Sequence, residues 1–225
     1  MLVTETAGRQ TVVTQAGVVG APVTGLPAVA PAGQGGLPDV ALDPAFASNS
    51  LVYLSYSESD FARAGLAVLR GRLQIAAEGS GSLNDVTVIW RQRPRIANDT
   101  RHYGGRITFA PDGMLMVTAG ERHQGAPAQD QGTTPGKIIR IRPDGTIPAD
   151  NPFVGVAGML PEIRTLGHRN PYGLRRVQSD HARSELRLAD RVRGQRRRDA
   201  AAPFHPSRFR GAAGELESPR SRRAG

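Results

Sequence analysis

His102 lies in the segment Arg101-His102-Tyr103-Gly104-Gly105-Arg106. An imidazole titrates near neutral pH, so a histidine within hydrogen-bond reach of a hydroxyl can take its proton. Taken alone, a histidine before a glycine pair is more often a hydrogen-bonded loop residue than a base. Gln34 sits in Gly33-Gln34-Gly35-Gly36-Leu37, where small neighbours let a ligand approach. Its other reading is an amide that stabilises the turn. Arg169 and Asn170 stand in Gly167-His168-Arg169-Asn170-Pro171-Tyr172-Gly173-Leu174. A fixed guanidinium there could stabilise developing negative charge. The plain reading is Asn-Pro turn chemistry beside a surface arginine. Arg106 is open between a second pocket cation and a charge on a strand surface, and His168 reads as a structural hydrogen-bonding residue.

Other chemistries are disfavoured. The chain has no cysteine, so disulfides, thiolate metal sites and thiol nucleophiles are excluded. His123, His181 and His205 lack the spacing of metal ligands, which argues against zinc. Lys137, the only lysine, reads as strand surface in Gly136-Lys137-Ile138-Ile139-Arg140, and without an upstream glycine it is no phosphate-binding loop. No apolar run approaches the roughly 18 residues of a membrane span. The start, Met1-Leu2-Val3-Thr4-Glu5, lacks the basic and then apolar pattern of a signal peptide.

The elements that must position these residues are strands. Val52–Tyr56, Leu66–Leu69, Val86–Trp90, Arg106–Phe109, Leu115–Thr118 and Lys137–Ile141 are rich in β-branched and aromatic residues, which suit a pleated surface. Asp112-Gly113 and Asp144-Gly145 are turn signals, because glycine takes a positive φ without steric cost. No stretch carries a sustained 3.6-residue apolar period. A weak repeat runs Gly-Gly, strand, Asp/Pro turn, strand. One copy starts at Gly35-Gly36 and another at Gly104-Gly105, and Met1–Glu5 resembles the second strand of such a unit. Repeated β units of this size point to propeller blades. The expectation is an all-β chain, a partial six-bladed β-propeller of about three four-stranded antiparallel blades. On this reading Met1 falls inside a blade.

The charge divides the chain. Residues 175–225 hold 14 Arg and 6 acidic residues, against 15 basic and 14 acidic residues in 1–174. Of the overall net charge of +9, +8 therefore belongs to the C-terminal segment and +1 to residues 1–174. That segment shows no apolar period, and it lacks the lysines and interleaved aromatics of a nucleic-acid arm. An irregular or disordered basic tail and an out-of-frame reading of a GC-rich gene both stay open, the latter because the character changes abruptly after Leu174. No nucleic-acid partner is expected.

Five segments together resemble the glucose/sorbosone dehydrogenase family, which includes soluble sugar dehydrogenases dependent on pyrroloquinoline quinone (PQQ). They are Gly33–Leu37, Arg101–Arg106, Gly136–Ile141, Asp144–Phe153 and Gly167–Leu174, in the family's order. The resemblance covers residues 1–174 and breaks at Arg175. It implies a propeller with PQQ and Ca²⁺ at its axial face, an aldose oxidised at C1 to the lactone, and an external electron acceptor. It implies His102 as general base, Arg169 and Asn170 as contacts to the quinone, and Gln34 and Arg122 as substrate contacts. A periplasmic or secreted location also follows from the resemblance. The metal ligands cannot be named, because several belong to the part of a family member that has no counterpart here. Pro38 departs from the family's leucine, and residues 131–135 depart from its usual approach to Gly-Lys. Two other readings stay open: a non-catalytic, propeller-derived carbohydrate-binding module, and a nonfunctional gene fragment. The oligomeric state is not legible.

Overall fold

The computed structural model describes residues 1–173 except Phe61, Ala77, Glu78 and Asn98; the Arg-rich segment 175–225, expected to be irregular, lies outside the described residues. The described chain forms three antiparallel sheets with strands in sequence order. The first holds β1 (Leu2–Thr4), β2 (Gln10–Val13) and β3 (Val19–Pro22). The second holds β4 (Asp39–Leu42), β5 (Leu51–Ser59), β6 (Arg63–Ile75) and β7 (Gly81–Arg91), with a short β8 (Ile96–Ala97) beside the start of β6. The third holds β9 (Gly104–Phe109), β10 (Leu115–Ala119), β11 (Lys137–Ile141) and β12 (Ile163–Leu166). Helix is confined to one turn at Phe46–Asn49 and a 3₁₀ turn at Ala126–Gln129. This is the architecture of a partial β-propeller, with each sheet a blade.

The turns fall where glycine allows them. Gly113 has φ +77° and joins β9 to β10, while the Met114 amide donates to the Asp112 side chain. Pro38 immediately precedes β4, so its missing N–H costs no ladder hydrogen bond.

The central strands β5 and β6 carry near-continuous apolar runs over Val52–Tyr56 and Leu66–Leu69 because both of their faces are buried there. Val52, Leu54, Ala67 and Leu69 pack in a core with Val12, Val23 and Leu83. Tyr53, Leu66 and Val68 pack in another with Ile107, Val117 and Ile139 of the third sheet. Polar bonds fix the second and third sheets together: the Ile107 amide donates to Asp39 Oδ2 at 2.9 Å, and the Ser55 hydroxyl donates to the Gly105 carbonyl at 2.5 Å.

In a four-stranded up-and-down sheet, the connection into the first strand and the one between the second and third strands emerge at the same end. Residues 23–38, 92–103, 120–136 and 167–173 are therefore gathered at one end of the blades. Gln34, His102, Arg169 and Asn170 lie in these connections.

Candidate active site

The turn that leads into β9 carries His102, with φ +51°. That conformation is uncommon for any residue but glycine and persists only where the surroundings enforce it. The ring is mostly buried, and its Nδ1 lies 2.5 Å from Glu121 Oε1, at the end of β10. Glu121 is buried and also accepts the Gly125 amide. Burial opposes its charge, yet the Gly125 amide and the His102 ring outweigh that, so Glu121 sits below the usual carboxylate range. An ionised carboxylate only accepts hydrogen bonds, so Nδ1 is the donor of this bond. The His123 ring stands edge-to-face with His102, centroids 5.1 Å apart.

Two more segments meet this turn. The Gln34 amide N–H donates to the Thr100 carbonyl at 2.7 Å. Gln34 Oε1 accepts the His102 N–H at 2.8 Å and the Tyr172 hydroxyl at 3.1 Å. Asn170 Oδ1 accepts the Gly104 N–H at 3.1 Å, and the Arg169 carbonyl accepts the Glu121 N–H at 2.8 Å. Gln34, His102, Arg169 and Asn170 are thus brought together at one end of the blades. The Arg169 side chain is exposed, and among the described residues its guanidinium makes no hydrogen bond or ion pair.

Arg122 is placed differently from the substrate contact expected of it. It is fully buried, and its guanidinium donates to the carbonyls of Ala64, Asp99 and Arg101, at 2.8, 2.5 and 3.0 Å. With its donors committed to the backbone, it forms part of the wall beneath His102. Lys137 is likewise not strand surface. It is fully buried, with Nζ donating to the carbonyls of Pro127, Ala128 and Pro135 at 2.6, 3.2 and 2.9 Å. Desolvation brings its pKa down to about 8. Arg106 is a surface charge on its strand, 3.3 Å from Asp39, and His168 Nε2 lies 2.7 Å from the Thr165 hydroxyl.

Sequence reasoning missed Glu121 and Tyr172. A carboxylate two residues after the buried strand β10 was the available signal for Glu121, because an acid in that position needs a partner.

The comparisons with known proteins place the chain in a family. Residues 1–186 match the family Glucose / Sorbosone dehydrogenase. The chain belongs to that family. Aldose sugar dehydrogenase YliI of Escherichia coli (strain K12) is 41% identical over 155 residues, 68% of this chain and 41% of the relative. The crystal structure of the soluble aldose sugar dehydrogenase from Escherichia coli in its apo form superimposes with a TM-score of 0.70 at 39% identity, over 76% of this chain and 48% of that one. The PQQ-bound form of aldose sugar dehydrogenase from Streptomyces coelicolor gives 0.62 at 30% identity, over 75% and 47%. The chain therefore spans about half the length of these relatives.

PQQ is a tricarboxylate with quinone oxygens, so it calls for cationic and amide donors. The free guanidinium of Arg169, with the neighbouring Asn170 side chain, fits that demand. The described residues offer no comparable set for calcium, since no group of three or more His, Asp or Glu could hold a metal.

Proposed function

We propose that this site oxidises an aldose at C1 to the lactone with PQQ as acceptor, and passes the electrons on to an external acceptor. Bound PQQ would take the hydride from C1. His102 Nε2 would take the proton of the C1 hydroxyl, since Nδ1 is committed to Glu121. Glu121 holds the ring in that tautomer and stabilises the imidazolium that forms, as an orienting carboxylate does in catalytic triads. Arg169 and Asn170 would hold the quinone by its oxygens, with the guanidinium countering charge that grows on reduction. Gln34 fixes the His102 backbone and directs its remaining amide hydrogens to the sugar. The observation that carries this reading is the buried His102–Glu121 pair beside an unpaired arginine, on the face where the connections gather.

The proposal includes an export location, periplasmic or secreted; among the described residues no helix is long and apolar enough to cross a membrane.

The test is a dye-linked oxidation assay over a panel of aldoses with PQQ and Ca²⁺ added, with the product identified as lactone. It is run on the 225-residue chain and on a version continued into the second half of the Escherichia coli relative. His102→Ala should slow sugar oxidation by roughly 10²–10⁴-fold, the usual contribution of a general base. An unchanged rate in that variant would remove His102 from the mechanism.

A further inference from the structure

Arg122 has the largest fully buried side chain in the described chain, and it carries a charge. Among the described residues no carboxylate forms an ion pair with it, and desolvation pushes its pKa below the usual arginine value. A charge buried without a counter-ion is expensive, so its retention needs a reason in the local geometry. Its contacts supply one.

Arg122 holds the turn around His102 at four consecutive-neighbourhood points. Its guanidinium donates to the Asp99 and Arg101 carbonyls. Its backbone N–H donates to the His102 carbonyl at 3.2 Å. Its guanidinium carbon lies 3.5 Å from the centre of the Tyr103 ring. A further bond, to the Ala64 carbonyl at the start of β6, ties this turn to the second sheet. Residues 99, 101, 102 and 103 are therefore all gripped by one side chain and its backbone. The turn needs that grip, because His102 sits at φ +51°, and Arg122 itself is at +56°. Each such conformation costs of order 1–3 kcal/mol and survives only where the surroundings over-determine it.

We propose that Arg122 is a positioning residue: its guanidinium holds the 99–103 turn in the left-handed conformation that delivers the His102 ring to Glu121. Glu121 and Arg122 are adjacent, so one short segment supplies both the partner of the ring and the clamp on its backbone. Arginine is needed for its shape. A planar guanidinium reaches three diverging carbonyls and stacks on Tyr103 together, whereas a lysine ammonium is a point charge without a face. The functional meaning rests on the reading of His102 as base; the positioning itself does not.

The experiment uses the 225-residue chain without quinone or sugar and reads the ¹⁵N and proton resonances of its histidine rings. In the wild type, His102 should show a downfield Nδ1 proton bonded to Glu121, identified by its absence from Glu121→Gln. Arg122→Lys and Arg122→Met should both lose that resonance, while the amide resonances of the first sheet stay in place. Retention of the resonance in Arg122→Met, or its full restoration by lysine, would overturn the proposal, the latter because charge alone would then suffice. Should neither variant fold, amide exchange in the wild type decides. The His102 and Arg122 amides should exchange as slowly as those of β10, and exchange as fast as in the exposed Asp112-Gly113 turn would refute the clamp. Because no turnover is measured, these outcomes are separate from those of His102→Ala in the oxidation assay.

Discussion

Gly120→Ala tests whether the site depends on the close approach of two backbones. Gly120 is buried directly after β10, and its N–H donates to the Tyr103 carbonyl at 3.0 Å. A Cβ built there would stand 2.1 Å from the His102 carbonyl oxygen and 2.6 Å from its carbon, with Asn170 Oδ1 at 3.0 Å. Real Cβ atoms essentially never come within 3.0 Å, so the His102 turn and β10 must separate by about 1 Å. Neither neighbour is a flexible side-chain end. The same displacement applied to the His102–Glu121 bond takes it from 2.5 Å to about 3.5 Å, beyond hydrogen-bonding range. Overpacking of this kind costs about 1–3 kcal/mol, and a misplacement of ~1 Å in a catalytic group can cost about 10²-fold in rate. The readouts are the urea midpoint of the chain, the His102 Nδ1 resonance, and the dye-linked rate of the continued version. Gly113→Ala is the control. Its φ is +77°, but a Cβ there meets nothing within 4 Å, so it should lose stability through backbone strain alone and keep the rate. If Gly120→Ala matches wild type in rate and resonance, or if Gly113→Ala slows the reaction as much, the argument from close approach fails.

Glu121→Gln should keep the buried volume but remove the charge that orients His102, lowering the oxidation rate by 10²-fold or more; a rate within a few-fold of wild type would show that the pair is only structural. Arg169→Ala should weaken PQQ binding by roughly 10–150-fold, the worth of a charge-assisted hydrogen bond of about 1.5–3 kcal/mol, and fluorescence titration with PQQ measures it. Stability should depend on pH in two opposing steps above neutrality. Lys137 has a folded-state pKa of about 8 against 10.5 when free, so the unfolded chain holds the extra proton and stability rises from pH 8 to 10.5, by at most about 3 kcal/mol. Burial pushes Tyr53 and Tyr56 up to about 12 from 10, so the unfolded chain loses those protons first and stability falls from pH 10 to 12. Urea midpoints should therefore peak near pH 10, and a steady fall from pH 7 to 10 would contradict the burial of a charged Lys137.

Much of this molecule is written locally in its sequence. The strands follow from runs of β-branched and aromatic residues such as Val86–Trp90 and Lys137–Ile141, and the hairpins from glycines that need positive φ, as at Asp112-Gly113. The gathering of Gln34, His102, Arg169 and Asn170 was legible too. Gln34 and His102 stand in the connections that enter β4 and β9, Arg169 and Asn170 in the segment that leaves β12, and an up-and-down sheet sends those connections to one end.

The tertiary structure decided what each of these residues touches. Glu121 was invisible as the partner of His102 because the β9–β10 ladder shifts register between Val117 and Ala119, and a one-residue shift turns every later side chain to the opposite face. The burial of Arg122 and Lys137 was equally hidden. A cation reads as surface unless acceptors surround it, and those acceptors are backbone carbonyls, including that of Ala64 in β6, 58 residues away from Arg122. Backbone carbonyls carry no residue identity, so only their placement in space could show that Arg122 and Lys137 are held by main chain.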